Sequence, residues 1–135
     1  MPASFSANSA GAILGVAEEA LAGELAAKRE EVEQAILHLD RAVRRYDGLI
    51  YTEPDDWHYP MRQSLGAVLL ESGRASEAAV VYWEDLKRNP ENGWSLYGLL
   101  QALEAQGKGE AAARIRERFE KAWARADVTL SASRF

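Results

Sequence analysis

Val32, Ala35, Ile36, Leu39, Ala42, Val43 and Tyr46 recur at i, i+3, i+4, i+7, i+10, i+11 and i+14. That spacing puts all seven on one face of an α-helix. Glu33, Gln34, Asp40, Arg41 and Arg44 fall on the opposite face, which is expected to meet solvent. Upstream, Ile13, Leu14, Ala17, Leu21 and Leu25 lie in a stretch dominated by Ala and Leu, both good helix formers. Asn8 or Ser9 can N-cap that helix, which is expected to run to about Lys28, with 28–31 as the turn. Residues 1–8 are small and polar and are expected to be disordered.

The clearest pattern lies in the stretch Pro60–Pro90. Leu65 and Gly66 are followed by Ala78, Tyr82 and Pro90, with Gly73 between the two apolar runs. Each has a physical role in a pair of packed helices. Gly66 has no Cβ, so a partner helix can come close, and Ala78 is the small residue expected opposite it. Tyr82 fills the space one turn on. Gly73 is placed for a left-handed C-cap, and Pro90 ends the second helix by removing an N–H. The same offsets occur earlier, since Gly23 precedes Ala35 by twelve residues and Leu39 stands where Tyr82 stands. A related pattern starts at Asn92, with Trp94, Tyr97 and Gly98 leading a helix, but Ala111 and Ala112 follow Gly98 by thirteen and fourteen residues, so that helix is expected to be slightly longer or its turn wider. The last helix is expected to bury Ala112, Ile115, Phe119, Ala122 and Trp123, with a turn at 106–109 before it.

These offsets resemble those of the tetratricopeptide repeat, a helix-turn-helix unit of about 34 residues whose pattern includes W-x2-L-G-x2-Y, A-x3-F and a closing Pro. The likeness extends over residues 10–124 as three repeats, about 9–47, 59–90 and 91–124. From Ala35 to Ala78 is 43 residues, about nine more than the usual period, so 48–58 is expected to be an inserted loop bracketed by Pro54 and Pro60. The tail, 125–135, carries Val128, Leu130 and Phe135 and is expected to pack on the last repeat. Stretches around Pro54, Trp57 and Tyr59, at 88–92 and in the final Ser-Arg-Phe are similar to the C-terminal repeats of longer bacterial proteins of this kind. The expected fold is all-α, an α-α superhelix of six or seven helices. Asp85 departs from the pattern by replacing a small residue, and Glu19 and Arg62 stand where the family often has Trp.

The resemblance implies an interaction scaffold whose first helices line a concave groove for a protein or peptide. By that register the groove residues are Arg62, Gln63, Ala67, Asn92, Ser95, Leu99 and Ala102, with Trp57 and Tyr59 of the inserted loop as candidates for its rim. One subclass grips a C-terminal carboxylate with a clamp of Lys, Asn and Arg. The matching positions here are Ala20, Glu24, Ser64, Asn92 and Leu96, which leave one polar donor and argue against that clamp. Three repeats are about the minimum for stability and neither end carries an obvious polar cap. The expectation is therefore a homodimer that buries the open ends or a fragment of a longer array.

Composition narrows the alternatives. Among the 135 residues there is no Cys, so thiol chemistry, disulfides and zinc–thiolate sites are excluded. The formal charge of −5 comes with acids and bases interleaved, and no basic block suggests nucleic acid or a membrane surface. The N-terminal stretch lacks the positive n-region of a signal peptide, and the expected compartment is the cytoplasm.

Glu53, Asp55, Asp56 and His58 could ligate a divalent ion, and a small-ligand or metal-binding accessory domain is the rival reading. The plainer reading makes them turn and cap residues, and no metal site or cofactor is expected. With two His, no Gly-rich phosphate loop, no G-x-S-x-G and no H-E-x-x-H, no catalytic residue is assigned and no enzymatic activity is expected. His38 is expected to be solvated. Trp94, Tyr97, Tyr82, Phe119 and Trp123 fall at core spacing, whereas an exposed Trp83 would mark a self-association patch.

Overall fold

The computed structural model describes residues 8–52 and 55–134. The expected disorder of 1–7, the side chain of Glu53, Pro54 and Phe135 all lie outside the described residues. Six α-helices make up the described chain: α1 (Ala10–Lys28), α2 (Val32–Asp47), α3 (Met61–Glu71), α4 (Ala75–Arg88), α5 (Gly93–Ala105) and α6 (Gly109–Ala122). The fold is all-α and built from helix hairpins. Among the described residues no helix is long and apolar enough to cross a membrane. The chain forms two compact units, Met1–Met61 and Arg62–Phe135.

In the first unit α1 and α2 form a hairpin. Ser9 caps α1 and its Oγ accepts from the Ala12 N–H at 3.1 Å, satisfying a helix-end donor. Val16, Ala20, Gly23 and Ala26 of α1 are buried, as are Ala35, Leu39, Ala42 and Val43 of α2. The pattern in α2 thus resolves into a core stripe, with Ile36 and Tyr46 only half-buried. The helices close up at Gly23, where a Cβ would lie 2.6 Å from Leu39 Cγ. The turn between them passes through Glu30 at φ 61°, a left-handed conformation that disfavours a side chain.

Asn8 is not disordered. It is buried, its Oδ1 accepts from the Ile50 N–H at 2.6 Å, and its Nδ2 donates to the Ile50 carbonyl (2.8 Å) and Asp56 Oδ2 (2.7 Å). The disorder expected from composition is overridden because this side chain satisfies the backbone at the far end of the hairpin. α2 stops at Asp47, and residues 49–52 and 55–60 form the irregular connection expected of the insertion.

In the second unit α3, α4, α5 and α6 follow in turn, with α4 packed on α5 and α5 on α6. Gly73 after α3 takes φ +81°, the left-handed cap expected of it. Tyr82 of α4 is the centre of this unit and is fully buried. Its ring, rather than Ala78, occupies the gap at Gly66, because a Cβ there would stand 2.5 Å from Tyr82 Cζ. Gly98 of α5 faces the same end of the ring. Two glycines, one from each flanking helix, therefore make the slot that admits an aromatic side chain.

Asp85, which the repeat pattern treats as a misfit, is buried and fully bonded. Ser95 Oγ donates to its Oδ2, and Asn89 Nδ2 donates to its Oδ1 at 3.0 Å. The carboxylate is accommodated because a small hydroxyl on α5 faces it. The other core aromatics expected from spacing lie farther out. Trp94, Tyr97, Phe119 and Trp123 are half-buried and form one cluster, with ring centroids 5.3 to 5.8 Å apart. They pack against each other because α6 is covered on one side only, with Ala112 and Ile115 as its buried residues.

Candidate functional site

The feature that most resembles an occupied site is the path of the tail in the second unit. After α6 the chain leaves as irregular, strand-free structure from 126 to 130. Trp123 Nε1 donates to the Val128 carbonyl at 2.6 Å and sets its direction. Leu130 is buried. Gln101 Nε2 of α5 donates to the Ser131 carbonyl at 3.3 Å. Ser133 is 1% exposed and its Oγ donates to the Gln63 carbonyl of α3 at 2.8 Å. Having one proton, the Ser133 hydroxyl then accepts from Tyr82 Oη, 2.6 Å away. Arg134 Nη2 reaches Glu71 Oε2 at the end of α3, at 3.0 Å.

The tail was expected to pack on the last repeat. It is bonded there to Trp123 and Gln101 and continues to α3, where the buried Tyr82 hydroxyl, projecting through the slot between Gly66 and Gly98, has Ser133 as its partner. Burial pushes the Tyr82 phenol well above its ordinary pKa, and the Ser133 hydrogen bond only partly offsets this. No buried side-chain nitrogen or oxygen among the described residues lacks a partner.

Several groove candidates are placed differently from the expectation. Gln63, Ser95 and Leu99 are buried, as are Ala67 and Ala102. α5 is packed by α4 and α6 and crossed by the tail, so it has little free circumference. Gln63 Nε2 donates to Asn92 Oδ1 (3.0 Å) and Ser95 Oγ (3.4 Å), and Ser95 passes the chain of bonds on to Asp85. Gln63, Asn92 and Ser95 thus come together as a polar core joining α3, α4 and α5. Asn92 also N-caps α5, its Oδ1 accepting from the Trp94 N–H at 3.0 Å and the Ser95 N–H at 3.3 Å. Arg62 remains half-exposed in the first turn of α3. Glu84 is held below the usual carboxylate range chiefly by its hydrogen bond from Lys87, with Arg62 and Arg88 adding.

Trp57 and Tyr59 lie in the first unit and are half-buried. They pack against exposed His58, tilted or edge-on: the Trp57–His58 centroids are 4.8 Å apart and the His58–Tyr59 centroids 4.5 Å. Trp57 Nε1 donates to Sδ of Met61 at 3.1 Å. The loop aromatics therefore hold the connection together. Asp56 accepts from Asn8, and among the described residues no group of three or more His, Asp or Glu is placed for a metal.

His38 is not simply solvated. Its Nδ1 lies 2.7 Å from Oε2 of the buried Glu19, whose Oε1 faces Arg45 Nη2 at 3.6 Å. The Glu19 carboxylate thus faces two basic side chains about two turns apart on α2. An open hollow of about 230 Å³ lies beside His38, lined also by Ala22, Leu25 and Gln34.

No protein-family model matches the chain, and no curated protein or solved structure is significantly similar to it.

Ser133, Gln101, Glu71 and the Tyr82 hydroxyl were missed by reasoning from the sequence. The spacing of Val128 and Leu130 signalled a docking tail but not its seat. That seat depends on a hydroxyl 51 residues away in the chain.

Proposed function

We propose that the chain is a tetratricopeptide-like interaction scaffold, without chemistry of its own, that binds an extended segment of a partner protein along the face formed by α3 and α5. What supports this reading is the irregular stretch 128–134, held on that face through its own backbone carbonyl at Ser131 and through Ser133 and Arg134. A helix face that donates to a main-chain carbonyl binds chain in general, and its side-chain seats supply selectivity. Selection of random dodecapeptides on the immobilised chain tests it. Saturable binding of an enriched peptide, weakened at least tenfold by Gln101→Ala with the fold intact by circular dichroism, is the expected result. Failure to enrich any sequence that binds in solution would refute it.

A second reading, self-association, is favoured by α1. Leu14 and Leu21 are 66% and 63% exposed, and Leu25 is also exposed, so the three form a stripe on one face at steps of seven and four. Isolated exposed leucines are ordinary, but a stripe on one helix marks an interaction surface. Sedimentation over a hundredfold concentration range should then show a dimer that Leu21→Lys abolishes. A monomer throughout removes this reading.

A further inference from the structure

We propose that residues 128–134 are a built-in competitor. The α3–α5 face selects a partner segment of the pattern Leu-x-x-Ser-Arg, and the chain's own tail holds that seat until such a segment displaces it. The inference rests on the peptide-binding reading above and names the partner's chemistry.

Three features carry it. The contacts are sequence-selective in a way that plain capping does not require. Leu130 is buried, Ser133 fits where its hydroxyl can serve both Tyr82 Oη and the Gln63 carbonyl, and Arg134 meets Glu71. Alanine in the serine seat would leave the buried phenol without its partner, and a larger side chain would not enter a site that is 1% exposed. Second, displacement unfolds no helix, because the segment from 126 to 130 has no regular structure and its links to α3 and α5 come from a few side chains. Third, any segment of the same chemistry from another protein can make these contacts, since the Ser131 link is to a backbone carbonyl.

A tethered tail competes at an effective concentration on the order of millimolar, so the intact chain binds a free segment far more weakly than an open face would. The device thereby sets a threshold that only an abundant or tightly binding partner passes.

The test uses a fluorescein-labelled peptide of residues 127–135, DVTLSASRF, titrated by anisotropy against the intact wild-type chain and the intact Ser133→Glu chain. The variant puts a carboxylate in the buried seat and should release its own tail. It is expected to bind the wild-type peptide at least tenfold more tightly than the wild-type chain does, and to ignore a peptide carrying Ser133→Ala. Equal affinities for both chains, or for both peptides, would overturn the proposal.

Should Ser133→Glu fail to fold, a second arm decides. Gln101→Cys with Ser131→Cys, in a chain that otherwise has no cysteine, is joined by a short cleavable thiol cross-linker. The locked and the cleaved forms of this one double variant are compared, so that the loss of the Gln101 amide is common to both. The locked form must bind the peptide at least tenfold more weakly than the cleaved form, and equal binding overturns the proposal. A wild-type dimer that dissociates in Ser133→Glu would place a second copy's tail in the seat and overturn the proposal as well. If an unrelated selected peptide binds while DVTLSASRF binds neither chain, this inference falls and the peptide-binding reading stands. If no peptide binds at all, both fall.

Discussion

Gly66→Ala tests the account of the Tyr82 slot most directly, because two opposing effects can be weighed in advance. In a helix interior, Ala is favoured over Gly by about 0.8–1 kcal/mol. Against this, the new Cβ would stand 2.5 Å from Tyr82 Cζ, well inside the 3.4 Å at which such contacts become ordinary. The ring cannot swing clear. It is fully buried, Gly98 also closes on its hydroxyl end, and its hydroxyl is bonded to Ser133. Overpacking of this kind costs about 1–3 kcal/mol, and a pinned ring belongs at the upper end. The net expectation is a loss of about 1–2 kcal/mol, read as a lower urea midpoint with an unchanged m-value. Two comparisons isolate the cause. Gly11→Ala, with nothing within 4 Å of its Cβ, should be neutral or slightly stabilising. In a Tyr82→Leu background, where no ring reaches the slot, Gly66→Ala should lose its penalty, giving a coupling of at least about 1 kcal/mol. If Gly66→Ala is as benign as Gly11→Ala in the wild-type chain, the slot does not govern the packing of α3.

Other consequences follow from the same contacts. Because the buried Tyr82 phenol keeps its proton while an unfolded one ionises near pH 10, its contribution to stability is complete below about pH 10 and declines above it, by up to about 1.4 kcal/mol per pH unit. Tyr82→Phe should flatten that alkaline decline in urea titrations at pH 9–11.5, and an unchanged slope would contradict the assignment. Ser95→Ala removes the hydroxyl between Gln63 and Asp85 and leaves a buried carboxylate oxygen unpaired, so a loss of about 1–3 kcal/mol is expected by chemical denaturation. Glu30→Gly relieves a left-handed residue in the α1–α2 turn and should raise stability by about 0.5–1 kcal/mol, the strain relieved exceeding the entropy added to the unfolded chain. A thermal midpoint that falls instead would show that the Glu30 side chain contributes more than its backbone costs.

How much was legible in the sequence differs from element to element. The α2 stripe was readable because one helix packed on one partner shows an apolar period of 3.6, and α1 could be placed from its cap and composition. The turn at Gly73 was readable because only a residue without Cβ takes φ +81° at no cost. Register on α3 and α5 was not. A helix covered on most sides shows no clear period, so nothing in the spacing separates a groove residue from an interior one. Gln63 and Ser95 were assigned to the groove by the repeat register, and they are buried because they bond to each other and, through Ser95, to Asp85.

Turn positions and the all-α class follow from the sequence by itself, because caps, glycines and apolar spacing act over a few residues. The seat of the tail and the polar core of Gln63, Asn92, Ser95 and Asp85 were decided only in three dimensions. Each depends on a polar group whose partner lies ten or more residues away, and a buried hydroxyl or carboxylate has no preferred partner until the surrounding helices have excluded water from it.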